Sequence, residues 1–401
     1  MSSDTRTGTG AAGSADSPAD SDSGLSRRRF TVLAGAGVAA AALPGTAARA
    51  APAVRPAYLG TYTAQPGGGA GIGLASYRPG SGRLTPTGVL GGVANPSFLA
   101  LSPDGRTLYA VDERAEGAVT AVRVGRGAPE VLGSRGTGGA DPCHLSVHPG
   151  GRFLFSANYT GGSVCVHPVG RDGTLGEACD VVQHKGSGPD PERQAGPHAH
   201  MVVMDPAGRY VLAVDLGTDT VHTYRLDTGS GRLQERSRAT MRPGAGPRHL
   251  AFHPSGTHAY VVNELDSTVV VCDYDRRTGA LTPGTPRPTL PPGTEPPERN
   301  YPAGVLVSPD GRYLYVSNRG HDSVAVFAVE CGGAALRPVS VTPSGGSYPR
   351  HIALDPSGTL LFAANQKSGS VTTFRVDRAT GGLSSAGAPL TAPIPVCVLP
   401  G

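Results

Sequence analysis

Arg248, Arg319 and Arg350 each stand at the edge of an alternating apolar run, in the strings GPRHLAF, YVSNRG and YPRHIAL, and Glu264 closes a similar run in YVVNE. Three guanidiniums and a carboxylate at matched places suggest a site for an anion, because arginine grips carboxylate or phosphate through two parallel N–H donors. Imidazoles occupy the same kind of position: His144 in PCHLSV, His198 and His200 in PHAHMVV, His249 after Arg248, and His351 after Arg350. Imidazoles, guanidiniums and carboxylates gathered in one place are the make-up of a site for an anionic small molecule. Asp215 and Glu264 can also serve the arginines as internal partners, which is the structural alternative. The spacing of His198 and His200 is that of a metal pair, but no carboxylate set accompanies it, so no metal and no other cofactor is expected.

Those residues must be positioned by a repeat. Six related turns, SPDG at 102, HPGG at 148, DPAG at 205, HPSG at 253, SPDG at 308 and DPSG at 355, start 46, 57, 48, 55 and 47 residues apart. An apolar run precedes each turn and another follows, then a third alternating run such as TVVVCDY or SVAVFAV and often a TG-x-L turn. A meander of about four short strands at a period near 50 residues is the signature of a β-propeller blade. Six anchored repeats are complete; AYLGTYT and GIGLASY near the start lack an inner strand, which APIPVCVL at the end can supply. The expectation is an all-β, seven-bladed propeller over residues 51–401, its ring closed by N- and C-terminal strands sharing one blade, which removes exposed sheet edges. There is no tryptophan, so the WD-type repeat is excluded.

In an antiparallel hairpin, residues equally far from the turn lie opposite one another. Arg248 and Glu264 flank the HPSG turn on either side and so meet at the hairpin's open end. Repeated around a ring, this gathers the histidines, arginines and acids named above on the face away from the turns, near the central channel. His144 and His351 can equally pack against a neighbouring blade. Asn158, Asn318 and Asn365, each closing a strand, are read as satisfying turn backbone groups, and His148 and His253, at the turn end, as structural.

Residues 1–50 are a different object: a Ser-, Asp- and Gly-rich leader, then SRRRF, a short apolar stretch over 31–43 and Ala48-Arg49-Ala50. This resembles a twin-arginine export signal with cleavage near Ala50, and its apolar stretch is too short to span a bilayer. An exported chain, with no stable membrane span, is expected. The net charge of +4 comes without any long basic run, which argues against nucleic acid as a partner. Six cysteines show no C-x-x-C pair or zinc spacing and are read mostly as buried free thiols. A closed ring predicts a monomer.

Residues 57 to about 398 resemble the lactonase family of seven-bladed propellers, which holds propeller-type 6-phosphogluconolactonases and fungal carboxy-cis,cis-muconate cyclases. The marks are YLGTYT, GIGLASY, PCHLSVHPGGRFLFSANY, PHAHMVVMDPAGRYVLAVDLGTD, GPRHLAFHPSGTHAYVVNE, YVSNRGHDSVAVF and YPRHIALDPSGTLLFAANQ. The resemblance implies a catalytic His, Arg, Glu and Arg in the channel mouth, which fall on His200 (His198 in reserve), Arg248, Glu264 and Arg319. His144, His198, Asp215, His249, Arg350 and His351 would then bind substrate. The implied activity is hydrolysis of a sugar-type or carboxylated lactone, with a small anionic lactone or diacid as ligand. Closure of a muconate-type diacid, or a non-catalytic ligand-binding propeller, are the alternatives. On this reading Glu264→Ala abolishes turnover while the melting point barely moves.

Overall fold

The computed structural model describes residues 54–125 and 127–401; the leader and export motif lie outside the described residues. Strands dominate, and the only helical element among the described residues is a 3-10 turn at Cys331–Gly333. No helix among them is long and apolar enough to cross a membrane.

Seven antiparallel sheets form the seven blades. Blade 1 runs Leu99–Leu101, Thr107–Asp112, Ala118–Arg123 and Glu130–Gly136; blade 2, Pro142–Val147, Phe153–Asn158, Ser163–Pro168 and Asp180–Gln183. Blade 3 holds Ala199–Met204, Tyr210–Asp215, Thr220–Leu226 and Leu233–Thr240, and blade 4 holds Pro247–Phe252, His258–Asn263, Thr268–Tyr274 and Leu281–Pro288. Blade 5 begins with Tyr301–Val307 and Tyr313–Arg319, and blade 6 with Pro349–Leu354 and Leu360–Asn365. Blade 7 joins the chain ends: Pro395–Pro400 is its inner strand, paired with Arg55–Thr61, followed by Ile72–Tyr77 and Leu84–Leu90. Each first strand touches the first strand of the next blade, and the ring closes from blade 7 back to blade 1.

Blades cannot bury their faces alone. The apolar residues form seven clusters, one at each blade-to-blade interface. Phenols tie neighbours together: Tyr109, Tyr260 and Tyr315, all buried, donate to the carbonyls of Gly173, Gly333 and Gly381 in the outer turn of the next blade. In the six anchor turns the closing glycine has a φ between 65° and 75°, a left-handed conformation costly to residues with a Cβ. That explains why glycine recurs there. All six cysteines are free, and four of them are buried.

One feature departs from simple hairpin pairing. In blade 4, Pro247 pairs with Asn263 and His249 with Val262, so Arg248 is an extra residue in a β-bulge. The same slip sets aside Cys143 in blade 2, His200 in blade 3, Arg350 in blade 6 and Val396 in blade 7. In blade 5 it falls within Ala303 and Gly304. A bulge re-aims a side chain out of the strict in–out alternation of a strand. Here the slip recurs in six blades, each time on the inner strand.

Candidate active site

Two kinds of position build most of the site: the bulge residue of a first strand, and the residue at or just past the end of a second strand. The bulges contribute Cys143, His200 and Arg350, and the second-strand exits contribute Glu113, Tyr159, Glu264 and Arg319, to the wall of a cavity of about 380 Å³. Connecting loops add Arg193 and Tyr348, and the first residue of the blade 5 inner strand adds Tyr301. Arg248, His249, His351 and Phe98 line a narrow layer beneath it, which Glu113, Cys143 and Arg350 share.

Glu264 is the hub. Its Oε2 accepts from Arg319 Nη2 at 2.6 Å and its Oε1 from Arg193 Nη2 at 2.6 Å. Arg248 Nε lies 3.1 Å from Oε2 but off the hydrogen-bonding direction, so this contact is an ion pair by distance and not a formed hydrogen bond. Arg248 is held instead by Nη1, which donates to the Ala303 carbonyl in the blade 5 bulge at 2.9 Å. Arg319 Nε donates to Tyr301 O at 3.0 Å. Burial alone would raise the Glu264 pKa, yet Arg319, Arg248 and Arg193 hold its carboxyl well below the usual range. Burial, then the like charges of Arg319 and Arg350, bring Arg248 down to about 9. A second carboxylate, Glu113, accepts from Tyr62 at 2.9 Å and from Ser97, and Tyr62 in turn accepts from Arg350 Nη2 at 3.1 Å. Four guanidiniums against two carboxylates leave the site with excess positive charge, which suits an anion.

His200 is buried, and its Nδ1 has no hydrogen-bond partner. Burial, reinforced by Arg248, holds its imidazole well below the ordinary value, so it is neutral at neutral pH. Its ring meets Tyr159 edge-on at 5.5 Å and His249 at 5.1 Å. A neutral imidazole beside an ionised glutamate and several guanidiniums can accept a proton from water while the arginines stabilise a developing oxyanion.

Of the residues expected from sequence, His200, Glu264, Arg319 and Arg350 line the cavity, and Arg248, His249 and His351 lie in the layer beneath. The other three lie elsewhere. Asp215 is fully buried: His184 Nδ1 donates to its Oδ2 at 2.6 Å, and its Oδ1 accepts from the His198 and Thr218 amides. Its carboxylate is consumed in shaping the loop before blade 3 and does not face a ligand. His198 stacks on Tyr159 at 4.6 Å and bonds to the Tyr159 carbonyl, so it supports a wall residue from behind. His144 packs against Phe98 at 4.2 Å and accepts the Val202 amide. Asn158, Asn263, Asn318 and Asn365 are buried and donate to a hydroxyl at the start of their own third strand, a role in the fold.

Glu113, which follows Asp112 as Glu264 follows Asn263, lies on the face expected from hairpin geometry without a role assigned to it, and Tyr159 was missed although it follows Asn158 in the same way. Cys143 shares the bulge position of His200 and Arg248. Arg193, Tyr301 and Tyr348 sit on or beside connecting loops that have no repeat register, and no sequence signal marks them.

His184, Asp215 and His222 bring potential metal ligands together. The two imidazoles stack face to face at 4.0 Å and 25°, so their in-plane lone pairs run side by side and do not converge on one ion. His222 Nδ1 donates to Glu235 and Tyr224 donates to His184, so the group works as a hydrogen-bonded network. A larger groove of about 1170 Å³ lies at the turn ends of blades 1 and 2. Its charged residues, among them Asp104, Arg106, Arg152 and Asp172, are all exposed, and it gathers no comparable site.

The family described as Lactonase, 7-bladed beta-propeller matches residues 56–400. This chain belongs to that family. It is 35% identical over 344 residues to a 6-phosphogluconolactonase of Bacillus subtilis, covering 85% of this chain and 97% of the relative. It is 34% identical to a 6-phosphogluconolactonase of Pectobacterium carotovorum, covering 62% of this chain and 69% of the relative. Among solved structures, the Pseudomonas aeruginosa periplasmic gluconolactonase PpgL matches with a TM-score of 0.80 at 31% identity, covering 87% of this chain and 99% of that one.

Proposed function

We propose that this lactonase-family chain hydrolyses a sugar-type or carboxylated lactone, in the manner of a 6-phosphogluconolactonase. One observation carries the reading: an ionised Glu264 held by three arginines shares a cavity with a neutral, buried His200. The names of the relatives, 6-phosphogluconolactonase and gluconolactonase, support the same reaction class.

The roles follow from charge. Both Glu264 oxygens are already bonded to arginines, so it organises them, whereas His200 Nδ1 has no partner and is open to accept a proton. His200 takes a proton as the oxygen of water adds to the lactone carbonyl carbon, and Arg248 and Arg319 hold the oxyanion that forms. Collapse breaks the bond to the ring oxygen, which receives the proton from His200, leaving a hydroxy acid that ionises. Glu264 lies close enough to favour the transient imidazolium. A twin-arginine-type leader, together with likeness to a protein described as periplasmic, supports an exported enzyme acting outside the cytoplasm.

The test is acid release at constant pH from 6-phosphogluconolactone, gluconolactone and a muconolactone-type acid. The expected result is turnover that falls by about 10² or more in His200→Asn. A wild-type chain that opens none of the three would make the site a binding site only.

A further inference from the structure

We propose that Arg193, with Arg299 beside it, forms a remote anion subsite at the cavity mouth that receives a phosphate or carboxylate borne by the lactone away from its reacting carbonyl. The proposal rests on the lactonase reading above and adds to it a residue outside the His200, Arg248, Glu264 and Arg319 set.

Arg193 differs from Arg248, Arg319 and Arg350 in origin and from Arg248 and Arg319 in exposure; Arg350 is also half-buried and bonded through one nitrogen, but to Tyr62 beside Glu113. It comes from the loop between blades 2 and 3, whereas Arg248 and Arg350 come from inner-strand bulges and Arg319 from the end of a second strand. A third of its side chain, 33%, is exposed, against 3% for Arg248 and 4% for Arg319. Only one of its nitrogens is engaged among the described residues: Nη2 donates to Glu264 Oε1 and to Tyr159 Oη. Nε and Nη1 therefore remain free, and each can give a single charge-assisted hydrogen bond to an oxyanion on its own edge of the guanidinium. Arg319, by contrast, is bound through two nitrogens to Glu264, Tyr301 O and Pro302 O.

The neighbours extend the positive field. Arg193 lies over the Tyr301 ring at 5.9 Å and Arg299 over the same ring at 5.2 Å. Arg299 is exposed and tethered by one bond, from Nη2 to Leu265 O. Two partly free guanidiniums thus share one aromatic spacer at the rim, while the reaction centre lies deeper at His200 and Arg248.

The loop that presents Arg193 is built and not loose. Gln194 is fully buried, donates to Leu216 O and Asp219 Oδ1, and accepts the Asp190 amide. Asp190 Oδ1 accepts the Arg193 amide at 3.0 Å. A fixed backbone under a half-committed side chain is what a specificity contact requires.

The experiment measures kcat and KM of the full chain, and of Arg193→Gln, Arg193→Lys and Arg299→Gln, on three lactones. These are 6-phosphogluconolactone, a carboxylated lactone such as glucarolactone, and neutral gluconolactone. In Arg193→Gln the ratio of kcat/KM for an anionic lactone to that for gluconolactone should fall about tenfold, the usual scale of one charge-assisted hydrogen bond. The fall should lie mainly in KM, with partial recovery in Arg193→Lys and a smaller fall in Arg299→Gln. Whichever anionic lactone shows the larger change identifies the group the subsite takes. An equal loss on all three lactones would overturn the proposal, since it would mean that Arg193 serves only to hold Glu264. Absence of turnover by the wild type on every lactone would instead overturn the lactonase reading itself.

Discussion

Glu264 shows how a single buried charge can be both site and structure. It is 4% exposed and is the shared counter-ion of Arg193, Arg248 and Arg319. Removing one partner of such a group leaves the others buried and unpaired, a cost of about 3–5 kcal/mol. The expectation that Glu264→Ala would leave the melting point nearly unchanged therefore does not survive the geometry. Glu264→Gln should lose turnover and also stability of that order in urea unfolding. Arg248→Met removes a buried charge that makes no formed hydrogen bond to Glu264 and replaces it with an apolar side chain of similar length. Stability should fall by about 1–3 kcal/mol, less than in Glu264→Gln, because the buried Ala303 carbonyl loses its donor, while turnover falls through loss of the oxyanion partner. Combining the two should recover part of the stability lost in Glu264→Gln and none of the activity. Additive stability losses in that cycle would mean that the two residues are not coupled.

At the scale of the strand, the bulge converts a repeated hairpin into a functional surface. The periodicity of the anchor turns made the blades legible, because PxG turns and alternating runs follow from backbone geometry alone. It also placed Arg248 and Glu264 at one end of their hairpin. The bulge itself was not legible: one extra residue leaves no mark in an alternation only six residues long. This is why Cys143 read as an ordinary core thiol and Asp215 as a ligand-facing acid. Asp215 pairs with Ala199 just before the bulge that aims His200 into the cavity, so the chain turns toward the channel only after the acid has been taken up by His184. Cys143 offers a clean separation of bulge from side chain. Its Sγ makes only long contacts with the Ala199 and His200 carbonyls. Cys143→Ala should melt within a few degrees of the wild type. Deleting residue 143 closes the bulge and turns Pro142 and the preceding loop to the wrong face. It should lower the melting temperature by more than about 10 °C, or leave the chain insoluble. Equal stability of the two variants would show that the bulge is dispensable to the blade.

For the whole ring, the central channel concentrates imidazoles that cannot easily be charged. Burial brings His144 down to about 3 and His351 to about 4, with further lowering from the guanidinium of Arg248. His200 and His249 lie well below the ordinary value, chiefly through burial and then Arg248. Away from the channel, burial and its neighbour His184 bring His222 to about 4 despite Glu235. In the unfolded chain all five would titrate near 6.5. A base whose pKa is lower in the folded state makes the unfolded chain the better proton acceptor. Its contribution is complete above about pH 6.5 and is lost as the pH falls toward the folded value, by about 1.4 kcal/mol per pH unit for each group. Glu264 and Asp215, depressed carboxylates, add a loss of the same sign once the pH falls below about 4. Five imidazoles acting together would consume a typical domain stability of about 5–15 kcal/mol within one to three pH units below the midpoint. The ring should therefore melt at nearly constant temperature between pH 7 and 8, then lose stability steeply below about pH 6 and unfold cooperatively before pH 4. Thermal melts at constant ionic strength across pH 4–8, with proton uptake on unfolding measured in parallel, check this. Uptake of several protons per chain near pH 5.5 is the expected reading, whereas melting temperatures that hold level down to pH 4.5 would mean that the channel histidines ionise without opening the ring.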